Sequence, residues 1–108
     1  MPRWVPRVLT RLRVLAAAGR LRFTATARAE ASELGLSHED VGLLLRQFTP
    51  SDRPTRLRSL SSHDWLYAFR PALPGLRLYL KVAIRADCVV ISCHEDRPEA
   101  AEEADRDE

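Results

Sequence analysis

The stretch Leu76-Arg77-Leu78-Tyr79-Leu80-Lys81-Val82-Ala83-Ile84, then Arg85-Ala86-Asp87, then Cys88-Val89-Val90-Ile91-Ser92-Cys93-His94, decides the fold. Aliphatics at Leu76, Leu78, Leu80, Val82 and Ile84 alternate with Arg77, Tyr79, Lys81 and Ala83, the period-two pattern of a strand with one buried face. In the second run Val89, Ile91 and Cys93 share one face, while Cys88, Val90, Ser92 and His94 share the other. A two-residue turn at Ala86-Asp87 pairs Leu80 with Cys93, Val82 with Ile91 and Tyr79 with His94. A slip of one residue would put a polar side chain against the aliphatic face, so pattern and turn length select one register. The expected outcome is an antiparallel hairpin whose second face, open to solvent, gathers Tyr79, His94, Lys81 and Ser92, with Arg77 further out.

Upstream the same period recurs in Thr55 to Ser61 and Asp64 to Arg70, which makes a small antiparallel sheet from about 55 to 94. Pro71-Ala72-Leu73-Pro74-Gly75 reads as the turn between the last two pairs. Before Pro54 the period is helical. Val8, Leu9, Leu12, Leu15 and Ala16 form one face of a helix from Pro6 to Ala18, capped by Gly19, with Arg3, Arg7 and Arg11 on another face. After the extended piece Leu21-Arg22-Phe23, a second helix runs from Thr26 to Leu34 and stops at Gly35. Ser37-His38-Glu39-Asp40 has the form of a capping box and opens a third helix, with apolar positions Val41, Leu44, Leu45 and Phe48, before Pro50. His38 is then a first-turn surface residue and His63 a loop residue. The class is α+β: N-terminal helices to about 48 packed on one face of a small antiparallel sheet, residues 1–94 forming a single domain.

Charge is divided along the chain. Residues 1–94 hold 15 of the 17 basic side chains and 7 of the 15 acids, a net +8, whereas residues 95–108 hold eight acids and two arginines, a net −6. The tail has almost no large apolar side chain, so disorder is expected there. A basic body suits a polyanion such as RNA. No apolar run approaches the roughly 18 residues needed to cross a bilayer, and arginines interrupt the N-terminal segment where a leader would be apolar. A cytoplasmic location with no membrane partner is expected. Cys88 and Cys93, on one extended strand, would stand about 16 Å apart at ~3.3 Å per residue and face opposite sides. They are expected as packing residues, with neither a disulfide nor a metal site.

The series Leu34-Gly35-Leu36, Ser51-Asp52, Trp65, Arg70-Pro71, Tyr79-Leu80-Lys81 and Val89-Val90-Ile91-Ser92 resembles, in order and approximate spacing, the motility quorum-sensing regulator (MqsR) toxins. The likeness runs from about Leu9 to Glu95, and Tyr-Leu-Lys followed by the Val-rich strand is its most specific part. It implies a RelE-like fold, and a ribosome-independent mRNA endonuclease neutralised by an antitoxin protein. The family's site, as the resemblance implies, uses a Tyr in the Tyr-Leu-Lys strand, a Lys ending the last strand, a Lys in the first sheet strand and a Gln after the Trp. Tyr79 matches. His94 stands where the last Lys would be, Thr55 or Arg56 falls at the first-strand position, and Leu66 replaces the Gln.

Cleaving RNA without a metal or other cofactor needs a base for the ribose 2′-hydroxyl, an acid for the departing 5′-oxygen and cations for the crowded phosphorane. His94 is the expected acid or base, because imidazole is the side chain that trades protons near neutral pH. Tyr79 would bind phosphate or orient the attacking group, and Arg56 completes the expected catalytic set. Lys81, Arg58 and Arg77 would hold phosphates, while Trp65 and Tyr67, with Phe69 beyond them, could stack unpaired bases of single-stranded RNA. Two other readings compete: a scaffold that binds RNA or an antitoxin but has lost the chemistry, and a module whose acidic tail mimics nucleic acid.

Overall fold

The computed structural model describes residues 2–96. Helix α1 (Trp4–Ala17) buries Val5, Val8, Leu9, Leu12 and Leu15. It begins two residues before the expected start and ends in a left-handed Gly19 (φ 73°). The Gly19 N–H donates to the Ala16 carbonyl and the Arg20 N–H to the Leu15 carbonyl, the double bond of a Schellman cap. Helix α2 (Ala25–Glu33) starts on the Thr24 hydroxyl, which accepts from the Ala27 N–H, and closes on Gly35 in the same way. In α3 (His38–Gln47) both capping-box bonds form: Asp40 N–H to the Ser37 hydroxyl at 3.0 Å, and Ser37 N–H to the Asp40 carboxylate at 2.8 Å.

The strands are β1 (Leu21–Phe23), β2 (Thr55–Arg58), β3 (Trp65–Phe69), β4 (Ala72–Leu73), β5 (Leu76–Ile84) and β6 (Cys88–Glu95). They stand in the order β1-β6-β5-β3-β2, with the two-residue β4 folded onto the start of β5. The expectation of a purely antiparallel sheet is corrected at one edge, where β1 runs parallel to β6, Leu21 beside Cys88 and Phe23 beside Val90. Three residues carry too short a pattern to reveal a strand's direction; the pairing comes from the return of the chain through α2, α3 and the rest of the sheet. Pro71–Gly75 is a turn as expected, but it includes β4, and Gly75 supplies its positive φ of 74°.

The β5–β6 hairpin keeps the expected register from Tyr79–His94 to Lys81–Ser92, then shifts by one, so Val82 opposes Val90 rather than Ile91. Ile91 is the extra residue of a bulge, and the turn has three residues, Arg85 to Asp87, instead of two. The inserted residue reverses the alternation. Cys88 and Val90 therefore join Cys93 in the core, against the expected division of faces. Both thiols are buried and free, on the same side of the sheet.

All three helices cover that side. Leu12, Leu15, Ala27, Ala31, Val41, Leu45 and Phe48 pack on Phe69, Leu78, Leu80, Val82 and Val90 in one core, and Phe48 stacks on Phe69 with ring centres 4.3 Å apart. Glu95 ends β6, and the Asp96 N–H donates to the Arg77 carbonyl at 2.8 Å. The disorder expected for the remainder of the tail concerns residues outside those described. No helix among the described residues is long and apolar enough to cross a membrane.

Candidate active site

Tyr79 and His94 lie side by side on the sheet face away from the helices, as the hairpin pattern predicts. Their rings stack at 5.0 Å between centres and 19° between planes. Lys81 pairs with Ser92 on the same face. The centre of this face is not open to solvent, contrary to expectation: Tyr79 is 0% and Lys81 1% exposed and Ser92 is buried, while His94 and Arg77 are partly exposed. The cause is local. Leu57 and Ala68 pack against Tyr79, and the guanidinium of Arg70 lies 5.0 Å from the centre of its ring.

Arg70 is the residue that reading the sequence for chemistry missed. It stands at the end of β3, where its Nη1 donates to the Arg53 carbonyl and the Thr55 hydroxyl, both at 3.2 Å, and its Nε lies 3.8 Å from the Asp96 carboxylate. Arg77 donates to the Arg70 carbonyl at 2.8 Å, so that side chain braces Arg70 from behind. The only sequence signal was the Arg70-Pro71 pair, which carried no indication of which face the arginine would cover.

His94 has a defined tautomer. Its Nδ1 lies 2.8 Å from the Glu95 carbonyl oxygen, which can only accept, so Nδ1 carries the hydrogen. In the neutral ring Nε2 then holds the lone pair available to take a proton.

Arg56 is not part of this cluster. In the β2–β3 pairing Arg56 opposes Tyr67 and Arg58 opposes Trp65, all on the helix side of the sheet. The residues of β2 that share the Tyr79 face are Thr55 and Leu57, and Leu66 of β3 faces the same way, paired with Ala83. The reason is the strand period: Thr55 and Arg56 are consecutive, so only one can face Tyr79. Of the expected aromatics, Phe69 is core, and Tyr67 packs on Trp4 with ring centres 5.4 Å apart. Trp65 remains 38% exposed, under the guanidinium groups of Arg56 and Arg58 at 4.1 and 3.9 Å.

Burial pushes both thiols up to about 12, helped at Cys93 by the nearby Glu30 carboxylate. Among the described residues no three His, Cys, Asp or Glu side chains cluster as metal ligands. His38 packs on Phe23, with ring centres 5.0 Å apart, and His63 takes a left-handed loop conformation, φ 62°.

No family model matches the chain. It is 30% identical over 88 residues, 81% of its own length and 90% of the relative's, to the mRNA interferase toxin MqsR of Escherichia coli (strain K12).

Proposed function

Because the chain belongs to the MqsR family of mRNA interferase toxins, we propose that it is a metal-independent, ribosome-independent endoribonuclease that cuts single-stranded mRNA in the cytoplasm and is neutralised by an antitoxin protein. The observation that carries this reading is the Tyr79–His94 stack, with His94 held by the Glu95 carbonyl as the Nδ1–H tautomer. Nε2 takes the proton of a ribose 2′-hydroxyl, the 2′-oxygen bonds to phosphorus, and the bond to the 5′-oxygen breaks. The proton gained by the imidazole is the one the departing 5′-oxygen requires. Tyr79, buried beneath the imidazole, orients it through the ring stack. Arg70 supplies the cation that Arg56, facing the other way, does not supply here. Lys81 adds positive charge along the same strand.

The purified protein should cut single-stranded RNA in EDTA and without ribosomes, leaving a 2′,3′-cyclic or 3′-phosphate and a 5′-hydroxyl. His94→Ala should lower kcat by about 100-fold or more, the usual contribution of a proton-transferring side chain. Tyr79→Phe, which keeps the ring stack and removes only a buried hydroxyl, should lower it by no more than roughly tenfold, the scale of one hydrogen bond. Full cutting by His94→Ala would refute the mechanism. Expression should arrest growth, and the same substitution should relieve it.

A second reading draws on one observation: Leu66, at the position where the resemblance implies an amide, is a buried aliphatic on the face of Tyr79. In that case the scaffold retains RNA or the antitoxin without chemistry. RNA that is shifted at low salt but left intact at high protein concentration would support it.

A further inference from the structure

The helix side of the β2 edge carries a ladder that the cutting chemistry does not use. Arg56 lies 5.5 Å from the centre of the Trp4 ring and 4.1 Å from that of Trp65, and Arg58 lies 3.9 Å from the Trp65 ring. A shallow groove on α1, lined by Pro6, Arg7, Thr10, Arg11 and Val14, is formed by the same helix that begins at Trp4. We propose that this surface binds a single-stranded segment of RNA flanking the cleavage site, bases stacking against the cluster of Trp65 with its two arginines and phosphates meeting Arg56, Arg58, Arg7 and Arg11.

Charge supports this first. Arg20, Arg70 and Arg85 each meet a carboxylate, those of Asp87, Asp96 and Asp64. None of the four arginines of the proposed surface has such a partner among the described residues, so no described carboxylate offsets their charge, which favours a polyanion. The indole is the second argument. Trp65 sits on the helix side yet is 38% exposed, and a guanidinium held over its ring by cation–π contact is already positioned for phosphate. Exposed indole interleaved with arginine is the chemistry of single-strand binding: stacking tolerates any base, and arginine follows the backbone. Position is the third. The outermost strand is β2, and Thr55 and Arg56 are neighbours facing opposite sides. A strand leaving the Thr55–Arg70 contact therefore reaches Arg56 across the width of one β-strand.

Only the choice of RNA rests on the proposed nuclease activity. Binding is measured by fluorescence anisotropy with a 2′-O-methylated oligouridylate of about 18 nucleotides, which cannot be cut, over a range of salt concentrations. The double variant Arg56→Gln/Arg58→Gln, changed at exposed positions, should bind roughly tenfold more weakly, with the salt slope reduced by roughly 0.7 for each arginine removed. Trp65→Ala should weaken binding with the slope preserved; if that variant does not fold, the arginine pair still decides. Wild-type affinity and slope in the arginine variant would overturn the proposal. So would a variant that keeps RNA binding but loses binding to polyglutamate, which would assign the surface to an acidic protein. Oligonucleotide bound through this surface by a wild-type protein that never cuts RNA would sink the nuclease reading and leave this one standing.

Discussion

Neighbouring residues in this chain meet opposite fates, and the difference is set by which way each faces. Thr55 touches Arg70 on the Tyr79 face, whereas Arg56 reaches Trp4 and Trp65 on the other. Sequence alone left the expected first-strand position open between Thr55 and Arg56, because consecutive strand residues face opposite ways and only the strand pairing shows which of them shares the Tyr79 face. Val89 and Val90 give a sharper case. Plain alternation puts Val89 with Cys93 and leaves Val90 outside; the bulge at Ile91 reverses this, and Val90 is 0% exposed while Val89 is half-buried. Val90→Ala should accordingly cost about 2 kcal/mol of stability, from lost transfer energy and an unfilled cavity, and Val89→Ala clearly less. Urea denaturation of the two variants measures the difference, and equal losses would contradict the bulge.

At the scale of elements, local signals were legible wherever the backbone itself dictates the residue. Gly19 and Gly35 end their helices because a left-handed residue without a Cβ is the inexpensive way to close the last turn. Ser37 and Asp40 open α3 because their side chains satisfy N–H groups that the first turn leaves without partners. That cap has a pH signature. Hydrogen bonds from the Ser37 backbone and then its hydroxyl hold the Asp40 carboxyl below its ordinary value of 3.8. A carboxyl lowered in the folded state stabilises α3 fully above the unfolded value and loses that contribution as pH falls through the folded one. Asp40→Asn should therefore be less stable than wild type near neutrality, and the gap should close as pH drops below 3.8. Thermal melts across that range provide the check. The short β1 and β4 were not legible as strands, since two or three residues hold no period and take their partners from elsewhere in the chain.

For the whole molecule, one core under three helices determines what is reachable. Cys88 and Cys93 both lie in it, with thiols pushed up to about 12, so little thiolate exists near pH 8 in the folded protein. Iodoacetamide should label both at the rate of unfolding, rising together through the denaturation midpoint; rapid labelling of either in native protein would show that the core is open there. Stability and access are linked in the same way at the site, where Arg70, Leu57 and Ala68 enclose Tyr79 and leave His94 as the partly exposed partner. The sequence by itself determined the α+β class, the three helices with their caps, the long hairpin and the meeting of Tyr79 with His94, because helix period, strand alternation and capping are short-range rules. Only the tertiary structure decided that β1 would lie parallel to β6, that one bulge would turn Val90 inward, and that Arg70 rather than Arg56 would cover the phenol. Those outcomes depend on contacts between segments far apart in the chain, where burial and pairing override any local preference.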